Sequence, residues 1–580
     1  MRWDSLAMSL LARAVVHARG IVAERPFDAQ VRDFRGAQAR LIEELCAANA
    51  RSAFGLAHEF RRVRSVDDFR KHVPVREYEG YRPWIDRIQN GETHALTCEA
   101  PFMFTSTSGT TGQPKLIPVT ESWKEELAAI MRLWLHRASL AHPRMLQRRI
   151  VSIVSPAVEG FARNGLPIGS MSGLTYQRVP SAARRNYAIP YGVMTVGDYD
   201  LRYWLALRLA LEADVSLVVV PNASTIVKLG ELAVDSADAL LRAIHDGTVG
   251  MAGASVEAWL GVVHAVERKL KPNPKRARAL ERAAAKRGSL RLTDAWPHLA
   301  LVSAWLGGSA GQVVHRLRRH VGDRVILRDL GLRASEGTFT VPLTDSSPAG
   351  VAAGHANFFE FVPSEELNAE NPRTLLGHEL EVGREYDLVV THRGGLYRYD
   401  MNDIVRCEGF EGTAPIFAFV RKGRDMLNVT GEKLHVNHVL AAEAAVRSKA
   451  GLEIRQFRII PDAPGLRYDL LIEVEGELPE DDALGAFLDL FDEALGHEND
   501  EYRAKRKSKR LGVPRLCVME RGWSEAQRRA DIAGGKRDGQ YKWPVFREGW
   551  EDGSRLAVVH VLDRAIRRRS SRRVRAVMTP

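Results

Sequence analysis

The apolar run at residues 215–220, Val-Ser-Leu-Val-Val-Val, constrains the fold more than any other feature of the sequence. Such a β-branched run is typical of a buried strand. It ends at Pro221, and the side chain of Asn222 or Ser224 can cap a helix that begins there. A strand, a tight turn and a capped helix form one α/β unit. Further apolar runs predict buried strands at 150–155, 299–305 and 325–330.

The rest of the chain predicts an α/β fold in two parts. Helical spacing dominates the first 75 residues and recurs from Glu121 to Leu140, which predicts a further helix. Residues 160–173 are rich in Gly, Ser and Pro and predict a long loop that could line the substrate pocket. Half-buried strands are indicated at 358–362, 388–391 and 416–420. We expect four regions. They are a large domain of α/β subdomains with a β-rich part at 1–420, a hinge at 421–430, a smaller mobile α+β domain at 431–560, and a basic tail at 561–580.

The net charge of +11 is concentrated at the end of the chain. Seven arginines follow Asp563 with no further acid, so the remainder of the chain carries only +4. Such a tail is typical either of nucleic-acid or anionic-surface binding or of a solvated, disordered terminus. It contains no aromatic residues on which bases could stack, which favours the second interpretation. We therefore predict neither a nucleic-acid partner nor a membrane partner.

The four cysteines, at 46, 98, 407 and 517, are far apart and show neither metal-ligand nor redox spacing. A chain of this length needs no disulfide to fold, so we expect a reducing cytoplasm. No apolar run approaches the ~20 residues of a membrane span.

Residues 104–120, Phe-Thr-Ser-Thr-Ser-Gly-Thr-Thr-Gly-Gln-Pro-Lys-Leu-Ile-Pro-Val-Thr, concentrate hydroxyls, glycines and one lysine. The hydroxyls donate hydrogen bonds, Gly109 and Gly112 let backbone N–H groups approach a ligand, and Lys115 adds a positive charge. The glycine spacing differs from that of a Walker A loop. The stretch predicts a polyphosphate-binding loop, and a flexible linker is the alternative.

Three later stretches end predicted strands and carry glycine with polar groups, where α/β folds bind ligands. In Trp305-Leu-Gly-Gly-Ser, the glycines would let a flat ring lie against the backbone. In Ala334-Ser-Glu-Gly, Glu336 could hold Mg²⁺ or orient a phosphate. In Gly395-Leu-Tyr-Arg-Tyr-Asp-Met-Asn-Asp, Asp403 is suited to accept hydrogen bonds from two ribose hydroxyls.

The ordered set of motifs resembles the adenylate-forming superfamily of acyl-CoA synthetases, nonribosomal peptide adenylation domains and luciferases. It is most similar to the auxin-responsive promoter (Gretchen Hagen three) family of acyl acid–amido synthetases. The resemblance runs from about residue 35 to about residue 550 and includes Arg64-Ser-Val-Asp-Asp-Phe, Val73-Pro-Val-Arg-Glu-Tyr, Trp296-Pro-His-Leu, Gly394-Gly-Leu-Tyr-Arg-Tyr, Gly431-Glu-Lys-Leu and Gly539-Gln-Tyr-Lys-Trp-Pro.

The resemblance implies a two-step ligase. A carboxylate attacks the α-phosphate of Mg·ATP to give an acyl-adenylate and pyrophosphate, and an amine, usually of an amino acid, then displaces AMP. An acid–thiol ligase, with coenzyme A or a carrier protein as acceptor, is the nearest alternative. A non-catalytic adenylate-binding protein is a more distant one, disfavoured because Lys115, Glu336, Asp403 and Lys542 are all present.

The resemblance also implies a role for each site residue. The β- and γ-phosphates would be held by Ser106, Thr107, Ser108, Gly109, Thr110, Thr111, Gly112 and Lys115. Adenine would lie beside Gly307, Gly308 and Ser309; the α-phosphate and Mg²⁺ would meet Ala334, Ser335 and Glu336. The ribose would contact Asp403 and either Arg421 or Arg424. Lys433, Lys542 or both would neutralise charge during adenylation, after domain closure.

Two departures from the family pattern stand out. Many relatives carry a tyrosine before Ala-Ser-Glu, where this chain has Leu332 and Arg333, so we expect weaker stacking on adenine. The usual glycine before the ribose-binding aspartate is Asn402 here. Asparagine tolerates positive φ, so we expect the turn to survive.

Overall fold

The computed structural model describes residues 2–107, 115–367, 372–423, 426–447, 449, 451–534, 536, 538 and 541–564. The chain divides into two compact units: Met1–Val420 with Arg537–Gln540, and Arg421–Lys536 with Tyr541–Pro580. Most of the predicted basic tail lies outside the described residues. No helix in the described ranges is long and apolar enough to cross a membrane.

The helices of the first unit are α1 (Arg2–Arg32), α2 (Phe34–Asn49), α3 (Ala53–Ala57), α4 (Val66–His72), α5 (Tyr78–Gln89), α6 (Glu121–Ala141), α7 (Met171–Gln177), α8 (Ser181–Arg184), α9 (Tyr199–Glu212), α10 (Ala223–Asp235), α11 (Ala237–Asp246), α12 (Ala254–Ala258), α13 (Leu260–Glu267), α14 (Pro274–Arg287), α15 (Leu292–Ala295) and α16 (Val314–Val321).

Its strands are β1 (Met103–Thr107), β2 (Lys115–Val119), β3 (Arg149–Ser152), β4 (Gly160–Phe161), β5 (Pro167–Gly169), β6 (Val215–Asn222), β7 (Leu301–Trp305), β8 (Ile326–Arg328), β9 (Arg333–Ala334), β10 (Gly337–Thr338), β11 (Thr340–Val341), β12 (Gly350–Ala352), β13 (Asn357–Pro363), β14 (Glu385–His392), β15 (Leu396–Glu411) and β16 (Ala414–Lys422), whose last two residues belong to the second unit.

A four-stranded parallel sheet, in the order β3-β6-β7-β8, contains the predicted buried strands. Val215, Val218 and Val220 on β6 are fully buried among side chains of α9, α10 and α16. Full burial of each such side chain contributes about 1.5–3 kcal/mol. Asn222 caps α10 by accepting a hydrogen bond from Ser224 N at 3.0 Å. The strand–turn–capped helix unit predicted here is confirmed.

A second sheet, in the order β2-β1-β5-β4, includes a segment that the sequence predicts as a long loop. Residues 160–173 instead form β4, β5 and the start of α7. Ile168 on β5 pairs in parallel with Phe104 on β1. The loop prediction was wrong here, because strands of two and three residues show no periodicity and the Gly/Pro content suggests irregular structure.

The β-rich part is a six-stranded sheet in the order β11-β12-β16-β15-β14-β13. A buried ion pair links two of its strands: Arg398 Nε on β15 donates to Glu360 Oε2 on β13 at 2.7 Å. Arg70 Nε and Thr374 Oγ1 each donate to Glu360 Oε1 at 2.8 Å. Arg398 has φ of 53°, so this network holds the backbone in a conformation that non-glycine residues rarely adopt.

The second unit is a smaller α+β structure. Its helices are α17 (Val436–Arg447), α18 (Asp481–Glu498), α19 (Asp500–Lys507), α20 (Trp523–Ala533) and α21 (Asp552–Leu556). Its strands are β17 (Met426–Leu427), β18 (Leu434–His435), β19 (Ile454–Asp462), β20 (Arg467–Val474), β21 (Arg515–Met519) and β22 (Val558–Leu562). The sheet β19-β20-β21-β22 packs against α17 and α18 through a common apolar core. The predicted α/β class with a smaller α+β part is confirmed.

Candidate active site

The predicted phosphate loop connects β1 and β2, which form an antiparallel hairpin. Thr107 pairs with Lys115, the last described pair before the loop. The Thr107 side chain and the loop itself lie outside the described residues. The loop carries five of the predicted site residues: Ser108, Gly109, Thr110, Thr111 and Gly112. The described base of the hairpin therefore presents Ser106 on one strand and Lys115 on the other.

Tyr78, at the start of α5, fixes the second strand of this hairpin. Its hydroxyl accepts a hydrogen bond from Leu116 N at 2.7 Å and donates one to Leu116 O at 3.3 Å. Lys115 Nζ lies 5.5 Å from the centre of the Tyr78 ring, within cation–π distance. Burial raises the pKa of Tyr78, so the hydroxyl keeps its proton at neutral pH. Lys115, at the start of β2, is thus positioned by the face of the Tyr78 ring.

Ser335 joins the Ala-Ser-Glu motif to the base of the phosphate hairpin. Its hydroxyl donates to Ser106 O at 2.8 Å, and Thr105 Oγ1 donates to Ser335 O at 3.0 Å. The motif forms the turn between β9 and β10, where Ala334 pairs with Gly337. Two hydrogen bonds therefore bring together the first and third predicted motifs, which are 230 residues apart along the chain.

Glu336 is buried beside Tyr399, whose hydroxyl donates to Glu336 Oε1 at 3.4 Å. Burial raises the pKa of Tyr399 well above its usual value, and the charges of Glu336, Asp400 and Asp403 add to this shift. The hydroxyl therefore remains a donor. Glu336 is hydrogen-bonded to this tyrosine, and Asp403, four residues further along β15, adds to the same shift of its pKa.

His392 is a residue of this site that the sequence did not reveal. Its ring stacks on Trp123 of α6 at 4.9 Å and 12°. Its Nδ1 accepts a hydrogen bond from Gly394 N at 3.0 Å, which places the proton of the neutral ring on Nε2. Burial lowers the pKa of His392 to about 3, and the neighbouring Glu336 backbone partly offsets this shift. His392 is therefore neutral at physiological pH.

Asp403 follows an irregular turn within β15. Val389 pairs with Asp400 and Asp387 with Ile404, so three residues of β15 bulge opposite a single residue of β14. Asn402 adopts φ of 52°, as expected of an asparagine at this position, and its N–H donates to Asp400 Oδ1 at 2.6 Å. The bulge places Asp403 in the interior with 3% of its surface exposed.

Gly307 and Gly308 follow β7, as predicted for a surface that receives a flat ring. Gly308 has φ of 56°, and a Cβ built on it would lie 2.8 Å from the Phe419 ring. Asp329, at the end of β8, accepts hydrogen bonds from Leu306 N and Gly331 N, both at 2.6 Å. This buried aspartate ties two strand ends together, and the sequence analysis missed it. The Ser309 side chain lies outside the described residues.

The predicted lysines and hinge arginines belong to the second unit, apart from Arg424, which lies outside the described residues. Lys433 is exposed at φ of 44°, and Asn499 Nδ2 donates to its carbonyl at 3.2 Å. Burial lowers the pKa of His435 to about 4, and the charges of Arg421 and Lys433 contribute to this shift. Arg421 and Lys433 therefore lie near one histidine. Lys542 is also exposed.

Comparison with known proteins places the whole chain in one family. Models described as the GH3 family N-terminal, central and C-terminal domains match residues 23–326, 350–422 and 435–548. A probable indole-3-acetic acid-amido synthetase, GH3.2 of Oryza sativa subsp. japonica, is 26% identical over 553 residues, which cover 88% of each chain. The 4-substituted benzoates-glutamate ligase GH3.12 of Arabidopsis thaliana is 24% identical over 556 residues, which cover 89% of this chain and 94% of that one.

Among solved structures, AtGH3.15 acyl acid amido synthetase in complex with 2,4-DB superimposes with a TM-score of 0.81 at 22% identity. The match covers 93% of this chain and 97% of the other, so the fold is shared throughout. The curated relatives named above are an amido synthetase and an acid–glutamate ligase. The chain belongs to the GH3 family, and the family predicted from the motifs is confirmed.

Proposed function

We propose that the protein is an ATP-dependent acyl acid–amido synthetase. It activates a carboxylic acid as an acyl-adenylate and transfers the acyl group to an amine, usually that of an amino acid. The observation that best supports this function is the pair of hydrogen bonds between Ser335 and the β1 strand. They bring Glu336 and the mouth of a hydroxyl-rich hairpin into one site, as attack on a nucleoside triphosphate requires.

In the first step, a carboxylate oxygen forms a bond to the α-phosphorus of ATP. The bond from that phosphorus to the oxygen bridging to the β-phosphate breaks, and pyrophosphate leaves. We assign the leaving group to Ser106, Lys115 and the hairpin loop, because a lysine and backbone N–H groups stabilise a polyphosphate anion. Ser335 and Ala334 would lie beside the α-phosphate.

We assign the nucleoside to the strand ends around the same turn. Asp403 would accept hydrogen bonds from the ribose hydroxyls, since carboxylate oxygens are hydrogen-bond acceptors. Gly307, Gly308 and Ser309 would flank the adenine. Arg421 or Arg424 would reach the ribose or a phosphate from the segment at 421–430, which we propose to be the hinge.

Magnesium fits the donors of the site. Mg²⁺ is usually held by one or two carboxylates together with substrate phosphates and water, rather than by a cage of protein ligands. Glu336 supplies one such carboxylate, and the described residues contain no cluster of three or more acidic, histidine or cysteine ligands. When bound beside Glu336, Mg²⁺ would neutralise phosphate charge.

In the second step, the uncharged amine attacks the acyl carbonyl carbon, the bond to the AMP oxygen breaks, and the new amide nitrogen loses a proton. AMP is a good leaving group, whereas a free carboxylate would have to expel oxide. Lys433 and Lys542 are exposed cations of the smaller unit. We propose that domain closure brings one or both to the site during adenylation.

The four cysteine thiols are free in the structure, as a reducing compartment would leave them. We therefore propose a cytoplasmic enzyme whose partners are its acid and amine substrates.

Pyrophosphate release across a panel of carboxylic acids, with ATP and Mg²⁺, tests the first step. Hydroxylamine should trap each acyl-adenylate as a hydroxamate. Replacing hydroxylamine with single amino acids or with coenzyme A then separates an amido synthetase from an acid–thiol ligase. Amide formation with at least one amino acid is the expected result. Thioester formation without any amide would refute the proposed acceptor, and the absence of pyrophosphate release with every acid would refute adenylation.

A further inference from the structure

One arginine beside the candidate site has no part in the functions assigned so far. Arg333 lies on β9, two residues before Ser335 and three before Glu336, and pairs with Thr338 across the β9–β10 turn. Its guanidinium reaches toward α6, where Nη2 lies 3.7 Å from Met131 Sδ. The side chain is partly buried. A permanent positive charge therefore lies next to the turn that carries Glu336.

Arg333 forms no ion pair within 4 Å with a carboxylate among the described residues. Its Nε is shielded from solvent and has no hydrogen-bond partner there. Burial lowers the pKa of Arg333 to about 10, and Asp329 only partly offsets this shift. Both oxygens of Asp329 already accept backbone N–H groups. The guanidinium therefore remains charged at neutral pH, with hydrogen-bonding capacity left over.

The N–H groups of Arg333 that lack a strong acceptor lie on the edge of the guanidinium that is suited to binding a carboxylate. Arginine binds carboxylates bidentately through two parallel N–H groups, and Nε and Nη2 form one such edge. Here Nε has no acceptor and Nη2 contacts only a thioether, which is a weak acceptor. Leaving a charged donor without an acceptor is unfavourable. An anion that takes the place of the Met131 thioether on this edge would satisfy both groups at once.

We propose that Arg333 binds the carboxylate of the acyl acid through Nε and Nη2 and holds it beside Ser335 and Glu336 before adenylation. This inference rests on the proposed function. The acid must approach a triphosphate and the negative charge of Glu336, and an adjacent fixed cation offsets that repulsion. Once the carboxylate oxygen bonds to the α-phosphorus and pyrophosphate leaves, the carbonyl oxygen of the adenylate keeps one of the two hydrogen bonds.

The test uses an acid that the wild-type enzyme activates, measured by ATP–pyrophosphate exchange. Arg333→Gln removes the charge, and Arg333→Lys keeps the charge but removes the fork. The matched control is Arg132→Gln. Arg132 is a surface arginine on α6, and it pairs with Glu125 at 3.7 Å. We expect Arg333→Gln to raise the KM for the acid on the order of 10- to 100-fold, the loss associated with hydrogen bonds to a charged group. The KM for ATP should change less than threefold, and Arg333→Lys should recover only part of the loss.

A second measurement depends on the charge of the ligand rather than on turnover. The carboxamide of the same acid should bind the wild-type enzyme much more weakly than the acid does, as measured by calorimetry without ATP. Arg333→Gln should abolish most of that preference while remaining folded, with a thermal transition close to that of Arg132→Gln. A raised KM for ATP with an unchanged KM for the acid would overturn the inference and assign Arg333 to the nucleotide. An unaltered preference of acid over amide would also overturn it.

These outcomes separate the inference from the function on which it rests. If no acid supports exchange in the wild-type enzyme, the proposed adenylation fails. If exchange is present and Arg333→Gln behaves like Arg132→Gln, only the role of Arg333 fails.

Discussion

The buried ion pair between Glu360 and Arg398 makes the sharpest stability prediction. Glu360 is fully buried, and its carboxylate accepts four hydrogen bonds. Two come from Arg398, at 2.7 and 3.0 Å, one from Arg70 at 2.8 Å and one from Thr374 at 2.8 Å. Glu360→Gln keeps the shape but removes the charge and half of the acceptor capacity, which leaves a buried guanidinium without its counter-charge.

Breaking a buried pair by removing one partner lowers the free energy of unfolding by about 3–5 kcal/mol. We expect a loss of that size for Glu360→Gln. The matched control is Glu365→Gln, which removes the carboxylate that pairs with Arg384. The side chains of that pair are 46% and 54% exposed. An exposed pair contributes about 0–1 kcal/mol, so the control should lose less than that.

Hydrogen exchange of peptides covering β13 to β15 measures the free energy of opening of this sheet directly, which avoids assuming that both units unfold together. The double variant Glu360→Leu with Arg398→Leu should recover part of the loss, because it removes the buried Arg398 guanidinium together with its counter-charge and leaves only the partly exposed Arg70 without its partner. A loss for Glu360→Gln equal to that of Glu365→Gln would refute the assignment of this network as a stabilising element.

Three further predictions concern nucleotide, lysine and pH. Asp403→Ala should raise the KM for ATP at least tenfold, with a smaller effect on the KM for the acid, because a lost hydrogen bond to a charged group weakens binding on that order. A KM for ATP equal to that of the wild-type enzyme would contradict the ribose assignment. Lys542→Ala should strongly reduce ATP–pyrophosphate exchange while ATP binding by calorimetry stays nearly unchanged, and full exchange activity would exclude Lys542 from adenylation. Burial raises the pKa of Glu126 to about 7, partly offset by Arg393 and increased by Glu44. The folded state therefore binds the Glu126 proton more tightly than the unfolded state does. The contribution of this proton to the free energy of unfolding is present at low pH and is lost as the pH rises through 7. Measured by urea titration, the free energy of unfolding of the wild-type protein relative to that of Glu126→Gln should fall by on the order of 3 kcal/mol between pH 4 and pH 8. A difference between the two proteins that stays constant with pH would contradict the raised pKa.

Long periodic segments of this fold could be predicted from the sequence, because local patterning determines them. The β-branched run of β6 and the amphipathic α6 were both predicted with ends close to those observed. The short strands β4 and β5 could not be predicted, because β5 pairs with β1, some 60 positions away in sequence, and β4 is added to the sheet through β5. Such tertiary pairing leaves no local periodicity.

The residues of the candidate site could also be predicted only in part. Motif order identified Glu336 and Asp403, and the structure brings both to Tyr399. The supporting residues Asp329 and His392 were missed, because one is an ordinary acid after a strand and the other acquires its role only by stacking on Trp123. Arg333 was noticed only as a departure that weakens stacking on adenine. Its unused donors become visible only when the surrounding side chains are placed.

The bonds between Ser335 and β1 also set the order in which the site can form during synthesis. Their two ends are 230 residues apart. At a ribosomal rate of about 5–20 residues per second, on the order of 10–50 s pass between the synthesis of the hairpin and the synthesis of Ser335. During this interval Thr105 and the Ser106 carbonyl lack the partners that hold them in the finished protein. A nascent chain stalled before residue 335 should therefore bind ATP weakly even if its hairpin has folded, and nucleotide binding should reach full strength only after Asp403 has also left the exit tunnel.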